Sequence, residues 1–174
     1  WWIGTNDATN TLATSSDGKL WYPQGKTVFS LKCNSIVFNG YDIAVAVGAD
    51  IGPVGAMGVM GKNDSFFVKQ TNALTYAINQ DIKSITYGPD RFFAVGQSTI
   101  YNGAYSFDGL NWNGNPISIT PGKYPTAIAY RGNNSYLLGT DDDEKGHTIY
   151  YSNNLGASFT AATVSPFTKQ TNFI

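Results

Sequence analysis

The sequence has little of what most catalytic and metal-binding sites require. Of its 174 residues, one is cysteine (Cys33), one is histidine, and Glu144 is the single glutamate. A disulfide framework and a thiolate metal site are therefore excluded. The net charge is −1, with 11 basic and 12 acidic side chains, so we expect neither nucleic acid nor an anionic membrane as a partner.

No apolar run is long enough to favour membrane insertion. A membrane helix needs about 20 mostly apolar residues. The longest apolar stretch, Ile43–Met60, is interrupted by Asp50, Pro53 and several glycines. It is better explained as a buried strand, a glycine-rich loop and a second strand.

Glycine (19 residues) and aromatic side chains (14%) are abundant instead, and one heptad recurs along the chain. Ser106–Trp112 and Ser15–Trp21 are nearly identical, Ser152–Phe159 has one extra residue before its glycine, and Gly61–Phe67 is a degenerate copy. The closing aromatic residues Trp21, Phe67, Trp112 and Phe159 are 46, 45 and 47 residues apart. A fixed period of this size indicates a repeat architecture.

A second pattern precedes each heptad: an apolar strand, a polar turn with glycine, and another strand ending in glycine, as in Ser84–Gly96. Each unit therefore has an inner strand A, followed by strands B, C and D. Four short antiparallel strands per unit predict an all-β propeller with about four blades. The predicted units are 34–81, 82–124 and 125–168; residues 1–33 supply strands B to D, and 169–174 begin a further strand A.

The ends of the chain complement each other in this alignment. Trp1–Gly4 aligns with Phe93–Gly96, and Thr171–Ile174 aligns with Lys83–Thr86. The ends could close a four-bladed ring, but a turn equivalent to Tyr87–Phe92 is missing. The alignment therefore favours a piece of a larger propeller or one partner in a multi-chain ring.

The heptads resemble a known repeat. Ser152, Asn154, Gly156 and Phe159 are spaced as in the Asp-box, or BNR repeat, of sialidases and sortilin-type receptors. The whole pattern is also similar to uncharacterised propeller proteins of bacteria and large viruses. The resemblance implies the fold and gives the heptad residues a structural role in turns. These residues are Ser15, Asp17, Gly18, Trp21, Asn63, Phe67, Ser106, Asp108, Gly109, Trp112, Ser152, Asn154, Gly156 and Phe159.

Catalysis is not expected from this set of residues. A sialidase needs clustered arginines, but Arg91 and Arg131 are the two arginines and both fall in A–B turns. A carboxylate-pair glycosidase is poorly supplied as well. The predicted function is a non-enzymatic binding or structural module on a cell or virion surface. Two alternatives are a fragment of a glycan-active hydrolase with catalytic residues elsewhere, and a lectin-like closed ring.

Binding is expected on the face formed by the B–C and D–A loops, because those loops vary while the strands repeat. The B–C loops are Thr5–Thr11, Ala49–Ala56, Gln97–Gly103 and Thr140–Thr148. Candidate binding residues within them are Asp50, Tyr101, Asp141, Asp142 and Asp143. We expect a protein or a glycan as the ligand, with other chains as a further class of partner. No cofactor is expected.

The acidic run Asp141–Glu144 gives one alternative, a Ca²⁺ site, because hard cations take carboxylate oxygens. Its spacing does not match a 12-residue EF-hand loop, and a solvated loop tip is the simpler interpretation. We therefore expect millimolar calcium to leave the melting temperature unchanged in a thermal scan, relative to magnesium or chelator. A calcium-specific rise would establish the metal site.

Overall fold

The computed structural model describes residues 1–52, 54–71, 77–119, 123–141 and 148–163. Within these residues the chain forms fifteen strands in four antiparallel sheets. The first sheet is β1 (Trp2–Gly4), β2 (Leu12–Thr14) and β3 (Tyr22–Pro23). The second is β4 (Lys32–Phe38), β5 (Ile43–Asp50), β6 (Val54–Gly61) and β7 (Val68–Gln70). The third is β8 (Ile82–Tyr87), β9 (Phe92–Gly96), β10 (Gly103–Ser106) and β11 (Asn113–Asn115). The fourth is β12 (Pro125–Gly132), β13 (Ser135–Thr140), β14 (Ile149–Ser152) and β15 (Thr160–Ala161).

The four sheets follow one another along the chain and pack face to face. Within each sheet, strands adjacent in sequence are paired. The inner strand β8 lies against β4 on one side and β12 on the other. An apolar cluster fills each gap between sheets; that between the second and third sheets contains Val45 and Met57 with Phe92 and Trp112. No helix in the described ranges is long and apolar enough to cross a membrane.

The register of the first sheet corrects the sequence alignment by one residue. Trp1 donates to the carbonyl of Ser15 at 2.7 Å and accepts from its amide at 2.9 Å. Ser106, the equivalent heptad residue, is paired with Phe92. Trp1 is therefore the equivalent of Phe92, not of Phe93. The sequence alignment matches the glycines that end each strand, whereas a one-residue change of register exchanges the two faces of a strand.

Each heptad is a turn closed by its own side chains. In the third sheet, Ser106 Oγ accepts the Gly109 amide at 2.9 Å, and Asp108 Oδ1 accepts the amides of Leu110 and Asn111 at 2.9 and 2.8 Å. Gly109 has φ 73°, a conformation that favours glycine. The first heptad, built on Ser15 and Asp17, has the same bonds.

The other two heptads vary this pattern. In Ser152–Phe159, Asn154 Oδ1 takes the place of the carboxylate and accepts the Ser158 amide at 3.0 Å. In the degenerate heptad the carboxylate of Asp64, adjacent to the predicted Asn63, accepts the Gly61 amide at 2.8 Å. In that copy the carboxylate therefore binds an amide three residues before it, whereas Asp108 binds amides two and three residues after it.

The closing aromatic rings pack between sheets. Phe67 lies edge-on to Trp2 of the first sheet, with ring centroids 4.9 Å apart, and Phe159 lies 6.1 Å from Phe93 of the third sheet. Trp112 is buried between the second and third sheets. Each of these three heptads therefore anchors its own sheet to the preceding one.

A bulge recurs at one place on all three described inner strands. The pairing register shifts at Asn34 in β4, at Lys83 in β8 and at Thr126 in β12. A bulge leaves one residue unpaired and re-aims its side chain. The bulged backbone also comes close to strand B: a Cβ on Gly96 would lie 2.3 Å from the carbonyl oxygen of Asp81.

Asp108→Ala should lower the free energy of unfolding by about 1–3 kcal/mol, because it removes a charged acceptor of two backbone amides. Asp108→Asn is the matched control and should lower the free energy of unfolding by less. An asparagine oxygen can accept the same kind of bond, as Asn154 does in the last heptad. Urea unfolding measures both variants. Equal losses in the two variants would contradict this role for the acceptor oxygen.

The free energy of unfolding of the parent protein should also depend on pH through Asp108, and Asp108→Asn should lack this dependence. Burial of the Asp108 carboxyl tends to raise its pKa, but hydrogen bonds from Asn111, Leu110 and Ser106 outweigh burial and lower it. A lowered pKa contributes stability that is present above the unfolded-state pKa and lost as pH falls below about 4. The advantage of the parent protein over Asp108→Asn should therefore shrink in acid.

Gly96→Ala should destabilise the third sheet by about 1–3 kcal/mol, because the added methyl meets backbone that cannot move freely. Gly61→Ala is the control, since its Cβ would meet only a carboxylate oxygen of Asp64 at 3.2 Å. Thermal unfolding of the two variants measures the difference. Equal melting temperatures would refute the steric role of the bulge.

Candidate functional site

The B–C and D–A loops meet on one face of the molecule, at the starts of the inner strands. A backbone hydrogen bond ties the two loops at an equivalent place in three sheets. The amides of Gln97 and Asp141 donate to the carbonyls of Asp81 and Tyr124 at 2.9 and 3.1 Å. In the second sheet the bond runs the other way, from the amide of Leu31 to the carbonyl of Ala49 at 3.3 Å. We call this surface the loop face.

A polar cluster lies on the loop face between the second and third sheets. Lys32 Nζ and Lys83 Nζ donate to the same oxygen of Asp81, Oδ2, at 2.5 and 2.7 Å. The side-chain nitrogen Nδ2 of Asn34 donates to Asp81 Oδ1 at 2.6 Å and to the Ile82 carbonyl at 2.8 Å. We call Lys32, Asn34, Asp81 and Lys83 the Asp81 cluster.

The bulges build this cluster. Asn34 and Lys83 are the extra residues of the bulges in β4 and β8. Lys32 and Asp81 stand two residues before them, at equivalent places in neighbouring units. Two repeats thus contribute different side chains at the same two positions, and packing of β4 against β8 brings all four together.

The cluster carries an excess of positive charge. Burial tends to raise the pKa of Asp81, but hydrogen bonds from Lys32 and Lys83 outweigh it and lower the pKa below its ordinary value. The carboxylate is therefore ionised, and two ammonium groups share it. Both lysine side chains keep solvent contact, at 26% and 31% exposed. Each ammonium group has three donors, so hydrogen-bonding capacity remains for a second acceptor.

An apolar groove lies beside the D–A segment that leads into β4. It has a volume of about 350 Å³. Its lining includes the aromatic residues Trp2, Phe66 and Phe67 and the polar residues Gln24 and Lys69. The groove lies between the first and second sheets, and the chain runs on from its lining residues Thr27 and Val28 to Lys32 of the Asp81 cluster.

Asp50 has a structural role in this structure. Its Oδ1 accepts the amide and hydroxyl of Ser30 at 2.8 and 3.0 Å, and its Oδ2 pairs with Lys69 at 2.5 Å. The ladder between β5 and β6 continues to the Asp50–Val54 pair, so the predicted loop Ala49–Ala56 is mostly strand. The small residues at the ends of β5 and β6 remain paired, so this hairpin is longer than its glycine-rich sequence led us to expect.

Of the other predicted binding residues, the structure describes Tyr101 and Asp141. Tyr101 is partly exposed, and its ring lies over the backbone of Gly114. Asp141 is half-buried and its carbonyl accepts the Thr140 hydroxyl at 2.9 Å. Asp142 and Asp143 lie outside the described residues. Within the described ranges, no group of three or more acidic, histidine or cysteine side chains is placed to hold a metal ion.

The opposite face carries the A–B and C–D turns. The Arg91 guanidinium lies 4.7 Å from the ring centroid of Phe107, in a heptad, and pairs with Asp90 at 2.8 Å. Arg91 is therefore engaged away from the loop face. Cys33 is buried, and burial raises the pKa of its thiol to about 12, which suits a packing role.

Sequence reasoning missed the Asp81 cluster. A signal was present: two consecutive polar residues interrupt each of two inner strands, Asn34–Ser35 and Lys83–Ser84. Each pair contains the extra residue of a bulge, Asn34 or Lys83. The partners are 47 to 49 residues apart in sequence, so pairing them requires the packed repeat.

Comparison with known proteins identifies the fold. No protein-family model and no curated protein sequence matches the chain. Among solved structures, one described as YCF48 bound to D1 peptide matches with a TM-score of 0.56 and 14% sequence identity. The match covers 92% of this chain and 43% of that chain. The predicted β-propeller of four-stranded antiparallel blades is thereby confirmed, with this chain spanning less than half the length of the matched propeller.

Proposed function

We propose that this chain is a non-enzymatic, protein-binding propeller segment that holds an extended peptide segment of its partner on the loop face. The Asp81 cluster is the observation that carries the proposal. It places two partly exposed ammonium groups and one carboxylate where neighbouring inner strands begin. A surplus cation on an otherwise weakly charged surface favours a partner with an acidic group.

The groove between the first and second sheets gives the partner a second feature. Apolar and aromatic walls with a few polar groups are typical of sites that take a hydrophobic side chain. We expect an extended segment of the partner to follow Gln24–Lys32, with an apolar residue at the groove and a carboxylate at the cluster. The matched solved structure, YCF48 bound to D1 peptide, is a peptide complex of a protein with a related fold, and this supports a peptide as the ligand.

The heptads support a structural assignment to the Asp-box class. Their serine, acidic and glycine positions are all used in closing turns, which leaves the loop face as the variable surface. The cell or virion surface location and a glycan ligand stay predictions from composition. The absence of enzymatic activity is part of this proposal.

The test uses fluorescein-labelled peptides with a common apolar sequence. One ends in a free carboxylate, one in a carboxamide, and one in a lysine whose own carboxyl group is amidated. Fluorescence anisotropy should show the tightest binding for the carboxylate peptide. Replacing the whole cluster with Lys32→Gln, Asp81→Asn and Lys83→Gln should weaken binding of that peptide by about tenfold or more. Removing all three charges together avoids leaving Asp81 ionised and unpaired.

Lys19→Gln and Lys62→Gln, in heptad turns on the opposite face, are the matched controls and should leave binding unchanged. Circular dichroism checks that every variant is folded. Equal affinity for the three peptides, or loss of affinity in the controls, would overturn the assignment of the site to the Asp81 cluster.

A further inference from the structure

Three side-chain donors of the Asp81 cluster converge on one carboxylate. Lys32 Nζ and Lys83 Nζ lie 2.5 and 2.7 Å from Asp81 Oδ2, and Asn34 Nδ2 lies 2.6 Å from Oδ1. Two of these donors belong to β4 and the third belongs to β8. Charged donors and a neutral amide arranged around a pair of oxygens form the kind of site that binds an anion. In this molecule a side chain of the chain itself supplies the anion.

The carboxylate is the most buried charged group of the cluster. The Asp81 side chain is 11% exposed, whereas those of Lys32 and Lys83 are 26% and 31% exposed. An acidic group that approaches from solvent therefore reaches ammonium groups that are already bound to Asp81. Two positive charges and one negative charge leave a surplus of one positive charge, so the Coulomb attraction of a partner is reduced accordingly.

The fold does not require a carboxylate at this position. Asp81 stands two residues before the bulge of its inner strand, where the neighbouring units have Lys32 and Tyr124. The bond that ties the loops here is made by the backbone. The Gln97 amide donates to the Asp81 carbonyl at 2.9 Å, and the Asp141 amide donates to the Tyr124 carbonyl at 3.1 Å. Different side chains therefore occupy one backbone site, and the choice of side chain changes the chemistry of the loop face.

We propose that Asp81 is the internal occupant of an anion site formed by Lys32, Asn34 and Lys83, and that it lowers the affinity of the loop face for acidic partners. Its carboxylate binds the donors that the acidic group of a partner would otherwise use. The partner's role rests on the proposed function, whereas the anion site rests on the geometry of the cluster alone. A small neutral residue in place of Asp81 should therefore leave a stronger site for carboxylates.

The first test restores the removed group from solution and needs no partner. Asp81→Ser removes the carboxylate and leaves its three donors. Sodium formate, a small carboxylate, should raise the melting temperature of this variant saturably when sodium chloride holds the ionic strength constant. The parent protein should show no such rise, because its own carboxylate occupies the site. Adding Lys32→Gln and Lys83→Gln to Asp81→Ser removes the charged donors and should abolish the effect of formate.

The second test measures peptide affinity by fluorescence anisotropy. Asp81→Ser should bind the carboxylate peptide about threefold to tenfold more tightly than the parent protein, because both lysines then act on the peptide alone. Its affinity for the carboxamide peptide should not change. Asp7→Ser is the matched control: it removes the same charge from another B–C loop of the loop face, and it should bind as the parent protein does.

Asp81→Asn is a second variant that removes the charge and keeps the volume of the side chain. It should also bind the carboxylate peptide more tightly than the parent protein, and it serves in the peptide assay if circular dichroism shows that Asp81→Ser is unfolded. Weaker binding of the carboxylate peptide by the folded Asp81 variants would overturn the proposal. An equal response to formate in Asp81→Ser and in the triple variant would overturn it as well.

The two tests separate this inference from the proposed function. If formate stabilises Asp81→Ser but neither the parent protein nor the variant binds any of the three peptides, the anion site is established and the proposed function fails. If the parent protein binds the carboxylate peptide at the cluster but formate has no effect on Asp81→Ser, the proposed function is supported and Asp81 is not the occupant of an anion site.

Discussion

Burial of one small sheet against the next is the interaction on which this structure depends. A single repeat of this kind cannot bury its apolar faces alone, and stacking against its neighbours buries them. The third sheet therefore buries residues on both sides: Phe92 faces the second sheet and Phe93 faces the fourth. Each such aromatic ring contributes about 1.5–3 kcal/mol when removed from water. Stability is shared between neighbours, which is typical of repeat proteins.

The fold was predictable because its signals are local. The turn bonds of Ser106, Asp108 and Gly109 join residues two or three apart, so the heptad can be recognised without tertiary information. The closing ring Trp112 then fixes which side of the strand is buried. With a period of 45 to 47 residues, these signals were sufficient for strand order, sheet number and the inter-sheet position of the aromatic residues.

The candidate site was not predictable, because it depends on register. Asp81 meets Lys32 only after two bulges have displaced Asn34 and Lys83 from the ladder. A one-residue shift decides which face of the sheet a side chain lies on, and sequence similarity alone placed Trp1 one residue away from its true equivalent. Asp50 shows the same limit, since its partners Ser30 and Lys69 are about 20 residues away on other elements.

The architecture separates stability from recognition. Heptad side chains on one face are committed to closing turns, so substitutions there change the free energy of unfolding. The bulge positions 34, 83 and 126 on the other face are re-aimed in every described inner strand, while the pairing on either side of each bulge is retained. Asn34 and Lys83 at two of these positions take part in the Asp81 cluster, whereas Thr126 at the third is buried. The Asp81 cluster is one combination that this scaffold holds, and its surplus positive charge follows from having lysine at two of the four contributing positions.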